Sequence, residues 1–64
     1  MKLELELRDE LIEAEICESR VIITIRSKTF PEDPNTVIVL NERELKSLIQ
    51  FLKGVYYIFK GTKS

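Results

Sequence analysis

Cys17 is the only cysteine in this chain and histidine is absent, so neither an internal disulfide nor a structural zinc site can staple its 64 residues. Nothing else in the sequence constrains the fold as strongly. A domain of this size buries a modest share of its surface, and below about 70 to 80 residues a hydrophobic core alone seldom holds one together. Close packing and association between copies are the remaining routes to stability. The longest apolar runs span four or five residues, against the roughly 20 that a membrane helix needs. Met1 leads directly into strand-like sequence with no apolar leader, so a cytoplasmic location is expected.

The stretch KLELELR alternates strictly, setting Leu3, Leu5 and Leu7 against Glu4 and Glu6, the period-two signature of a half-buried strand. A two-residue turn at Asp9-Glu10 pairs Leu7 with Ile12, Leu5 with Ala14 and Leu3 with Ile16 on one face. On the other face that register sets Glu6 against Glu13 and Glu4 against Glu15. Like charges directly opposite repel, so a cation is expected beside them, from Arg26 or from a neighbouring subunit. RVIITIRSK reads as a third strand after a turn around Ser19, with Val21, Ile23 and Ile25 on the apolar face. TFPEDPN is a loop, because Pro31 and Pro34 both interrupt a regular ladder. The following TVIVL is apolar on both faces, which calls for cover on both sides. One helix covers one face, and the other is expected to be a subunit interface.

Asn41 is a good helix N-cap, Glu44 closes a capping box three residues later, and Glu42 suits the positive end of the helix dipole. Leu45, Leu48, Ile49, Leu52, Val55, Tyr56 and Phe59 follow at helical spacing as a buried stripe, while Phe51 and Ile58 lie on a separate flank. Gly54 either ends the helix, leaving VYYIF as a fifth strand, or sits inside it at a cost of about 1 kcal/mol. The stripe keeps its phase past Gly54, which favours a single helix. The expected fold is α+β: one domain over 1–64, a four-stranded antiparallel meander and one C-terminal amphipathic helix (ββββα), in an oligomer. The strands are expected over about 2–8, 11–18, 20–28 and 36–40, and the helix over about 42–60.

The net charge of −1 conceals a split. Residues 1–18 carry two basic side chains against seven acidic, a net of −5, whereas residues 19–64 carry eight against four, a net of +4. Either the halves neutralise each other across the sheet or a dimer, or the basic half receives an anionic partner. On a helix, Lys46, Lys53 and Lys60 fall within about 40° of one another, with Tyr57 interleaved. Their two readings are a solvated edge and a surface for a polyanion. Phe30 follows Arg26 and Lys28 into the loop, where it either closes over the core or stands out to stack on unpaired bases. Glu and Lys are abundant while Gln and Asn total three (Gln50, Asn35 and Asn41), a composition that matches hyperthermophile proteins.

The segment RVIITIRSK, its loop and VIVLNERELKSLIQFLK resemble the strand–loop–strand–helix core of two groups over residues 20–53. One is the Whirly-like single-stranded-DNA-binding transcriptional coactivators, and the other is the small archaeal single-stranded-DNA-binding proteins of the ThermoDBP-related type. The junction Leu40-Asn41 with Leu45 and Leu48 is the most specific element of the likeness. The resemblance implies a dimer or tetramer holding single strands in a groove of apolar and aromatic residues with cationic rims. Arg26, Lys28, Lys46, Lys53 and Lys60 match the cationic part by type, and Phe30 and Tyr57 the aromatic part; the acidic first hairpin departs from the pattern.

The expected function is therefore low-specificity, non-enzymatic binding of single-stranded nucleic acid by a homo-oligomer, with no cofactor or metal. The alternative is a protein-interaction module or small regulator that binds another protein through its exposed sheet face. Catalysis is not expected, since no histidine supplies a general base near neutrality. The glutamates of a flat strand face also lack the closed geometry of a cation site.

Overall fold

The computed structural model describes residues 1–33 and 35–62, so Pro34 of the expected loop lies outside the described residues. Its elements are β1 (Lys2–Glu6), β2 (Glu10–Cys17), β3 (Arg20–Ser27), β4 (Thr36–Asn41) and α1 (Glu42–Thr62). The strands form one antiparallel sheet in the order β1-β2-β3-β4, followed by the single C-terminal helix that the sequence predicts. Alternation sorts the side chains as expected. Leu3, Leu5, Ile12, Ala14, Ile16, Val21, Ile23, Ile38 and Leu40 share a leucine-rich face, and Lys2, Glu4, Glu13, Glu15, Ile22 and Arg26 share the other.

The first hairpin corrects the expected register by two residues. Leu5 pairs with Ile12, Leu3 with Ala14 and Glu4 with Glu13. The turn centres on Arg8-Asp9 rather than Asp9-Glu10, closed by the Leu7 amide donating to the Glu10 carbonyl at 2.8 Å. Electrostatics favours this arrangement. The expected register holds two glutamate pairs, whereas the observed one holds Glu4–Glu13 alone and sets Lys2 opposite Glu15. A slip of two preserves which face each residue occupies, so the leucine face survives it.

The second hairpin pairs Cys17 with Arg20 around Glu18-Ser19. Glu18 sits at φ 53, in the left-handed region that two-residue hairpins exploit and that normally calls for Gly or Asn. In the following loop the Phe30 amide donates to Ser27 Oγ at 3.0 Å, and the Asp33 amide donates to the Phe30 carbonyl at 3.0 Å.

The helix runs unbroken through Gly54 to Thr62, so the alternative of a fifth strand is set aside. Its start is tightly specified. The Asn41 amide donates to Glu44 Oε1 at 3.0 Å, and the Glu44 amide donates to Asn41 Oδ1 at 2.8 Å, a complete capping box. Asn41 is also the last residue of β4, paired with Arg20. Strand and helix thus join with no intervening loop.

That junction overturns the expected buried stripe. Among the described helical residues only Leu45 and Leu48 are half-buried; Ile49, Leu52, Val55, Tyr56 and Phe59 are exposed, and no described apolar side chain is fully buried. The helix meets only β3 and β4 among the other elements. The radius of gyration is 13.9 Å, against about 11 Å for a compact chain of this length. Among the described residues no helix is long and apolar enough to cross a membrane.

Relieving Glu18 of its left-handed backbone is expected to stabilise the sheet. Glu18→Gly should gain about 1 kcal/mol and raise the melting temperature by about 4–8 °C in a thermal scan at fixed protein concentration. A lower melting temperature would show that the Glu18 side chain contributes more than its backbone costs.

Candidate nucleic-acid interface

Of the seven residues expected to contact nucleic acid, β3 carries Arg26, and the loop that follows it carries Lys28 and Phe30. Arg26 lies on the glutamate-bearing face of β3, where its Nη2 stands 2.6 Å from Glu13 Oε1. Lys2 approaches from the opposite strand, its Nζ 2.5 Å from Glu13 Oε2. Glu13 is 7% exposed, the only buried residue among those described. The cation expected beside the opposed glutamates is therefore Arg26, as one of the two sources anticipated. Lys2 joins it, a partner that only the observed register makes reachable.

The hydrogen bond from Lys2 holds the Glu13 carboxyl below its ordinary 4.5, with the charges of Arg26 and Lys2 adding to it against the opposing effect of burial. The same bond raises the Lys2 ammonium above its ordinary 10.5, helped by the charge of Glu13 and then by Glu4 and Glu15.

Lys28 is also engaged. Its Nζ pairs with Glu6 Oε1 at 3.1 Å and donates to the Leu7 carbonyl at 3.1 Å, while its amide donates to the Asp9 carbonyl at 2.9 Å. Arg26 and Lys28 thus brace the acidic hairpin, and their charge is shared with its carboxylates. Phe30, just beyond them, is 63% exposed and stands out from the loop rather than closing over a core.

The other four residues lie on α1. Lys46, Lys53 and Lys60 recur every seven positions along about 21 Å of helix, and none makes an ion pair among the described residues. No acidic residue follows Glu44 in the helix. Tyr57 is 70% exposed, and its ring rests against that of Tyr56, centroids 6.2 Å apart and planes tilted by 52°.

The two groups start from opposite ends of the sheet. The helix begins where Asn41 pairs with Arg20, whereas Lys28 lies past the far end of β3, about 26 Å along the strand direction. The structure therefore brings together Arg26 and Lys28 on the hairpin, and Lys46, Lys53, Tyr57 and Lys60 on the helix, as separate sets. Among the described residues no three carboxylate or thiolate side chains converge where a metal ion would sit. No known protein family, curated protein or solved structure matches the chain.

The Glu13 cluster has a pH signature with a definite sign. A carboxyl lowered by folding stabilises fully above 4.5, and that contribution disappears as pH falls through the folded value. An ammonium raised by folding stabilises fully below 10.5 and loses its contribution as pH rises through the folded value. Glu13→Gln should therefore melt at a lower temperature than the parent at pH 7, and the two should converge on acidification below 4.5. A gap that persists unchanged at low pH would show that Glu13 acts through packing rather than charge.

Proposed function

We propose that this chain is a non-enzymatic, low-specificity binder of single-stranded nucleic acid, acting as a homo-oligomer through the helix edge formed by Lys46, Lys53, Tyr57 and Lys60. One observation carries this reading: the helix presents three cations in a row that make no ion pair among the described residues, beside an exposed tyrosine braced by a second ring. Lysines on such a row contact phosphates as point charges, and an exposed ring stacks on unpaired bases for about 1–3 kcal/mol each without regard to sequence. Phe30 is a second stacking platform at the other end of the sheet. Arg26 and Lys28 are demoted to a supporting role, since their Glu13 and Glu6 partners compete with phosphate for them.

Three phosphate contacts on single strands give a log–log salt slope of about −2 per engaged subunit. Titration of fluorescent oligo-dT across a salt series should show that slope, and Lys53→Ala should reduce its magnitude by about 0.7. Lys53→Glu with Lys60→Glu should abolish binding with little change in melting temperature, whereas Arg26→Ala should lower the melting temperature and leave most of the binding. Affinity indifferent to salt, or no binding at micromolar protein, rules the function out.

A second reading is favoured by a different observation, the large uncovered apolar surface: a module that binds another protein through its sheet face. A stable protein partner that co-purifies from the native host and survives nuclease treatment would select it.

A further inference from the structure

The exposed surface of the chain is 5868 Å². A compact monomer of 7.5 kDa exposes about 4,250 Å², so about 1,600 Å² is in excess. Twice that excess is about 3,200 Å², inside the range of about 2,000–5,000 Å² of obligate dimer interfaces. Large apolar side chains stand on this surface. Leu3, Leu5 and Ile16 are exposed on the sheet, and Leu52, Val55 and Tyr56 on the helix.

These two surfaces adjoin. Leu45, on the first turns of α1, lines a hollow of about 390 Å³ together with Ile16 and Val21, both on the leucine-rich face. The helix thus departs from the leucine side of the sheet. Its own apolar stripe does not fold back onto that face, because Asn41 is at once in the last ladder pair and the cap of the helix, which leaves no connection in which to turn. The face therefore needs a helix it cannot obtain from its own chain, and the stripe needs a sheet.

We infer that a second copy of this chain covers both: two subunits related by a two-fold axis each lay the Leu52–Val55–Tyr56 stripe across the other's leucine-rich sheet face, so that the hydrophobic core lies between subunits. The dimensions agree. Beyond Leu48 the helix runs on to Thr62, a stretch about 21 Å long, enough to cross a four-stranded sheet, whose strands at about 4.8 Å spacing make it about 14 Å wide. The contact is isologous, since each subunit gives the same stripe and the same face. It places the main interface on the leucine side, away from the exposed Val37 and Val39 of β4. The inference shares the self-association of the reading above and is independent of nucleic acid.

Light scattering of the chain at tens of micromolar, without oligonucleotide, gives the first test, with a dimer expected. Mixing isotope-labelled with unlabelled chain and recording intermolecular NOEs gives the second. Cross-peaks from Leu52, Val55 and Tyr56 of one subunit to Leu3, Leu5 and Ile16 of the other are the expected result. A folded monomer overturns the inference, as does a dimer whose intermolecular cross-peaks run only from helix to helix or from β4 to β4. Oligonucleotide binding that fails while these cross-peaks appear removes the proposed function and leaves the dimer standing.

Discussion

Asn41 does two things at once: it is the last residue of the β4 ladder, opposite Arg20, and it is the N-cap of the helix. A residue bound in both roles has no freedom left to redirect the chain, so the helix leaves the sheet along a heading set by β4. In most small sheet-plus-helix domains a connection of several residues lets the helix swing back over the sheet. Here that length is zero. Only the first turns, through Leu45 and Leu48, remain near β3 and β4, and the rest of a strongly amphipathic helix extends into solvent. The open shape and the exposed leucine face both follow from this junction.

The charge split resolves differently in the two halves of the chain. Within the sheet it closes on itself. Glu13 draws Lys2 from one neighbouring strand and Arg26 from the other, and Glu6 holds Lys28 beside the first turn. A buried carboxylate is tolerated when it is paired, and this one links β1, β2 and β3 across the face away from the leucines. The helix takes no part in this neutralisation. Among the described residues its three lysines, Lys46, Lys53 and Lys60, make no ion pair and carry their charge on an exposed surface.

Much of this was legible in the residues. The order of elements, the Ser19 turn, the sorting of faces and the capping box all rest on local physics: alternation, turn chemistry and donor satisfaction within four residues. The register of the first hairpin was not legible, because a period-two pattern looks identical after a slip of two. The charges of Lys2, Glu4, Glu6, Glu13 and Glu15 distinguish the two registers, and that signal is present in the sequence. The stripe from Leu45 to Phe59 marked which side of the helix is apolar, but amphipathicity does not say what covers it. Arg26 illustrates the same limit at the candidate site. Its type and position suit a phosphate contact, yet the strand order brings it beside Glu13, and a cation already paired is a weak one for a ligand.

If the core forms only between subunits, folding and association are one equilibrium, and anything that binds the dimer stabilises the fold by mass action. The lysine rows belong to the same helices whose stripes make the interface, so each row is held in place only when its helix is packed on the partner. Two rows then act together, and an oligonucleotide long enough to touch both gains the second at a high effective concentration. A short oligonucleotide reaching one row would bind more weakly by far than the difference in phosphate count alone implies. Low intrinsic affinity per lysine is therefore compatible with tight binding by the assembly. On this view the absence of a core in the single chain is what couples the two properties: the same uncovered leucines that force copies together set the spacing at which the chain's free cations are presented.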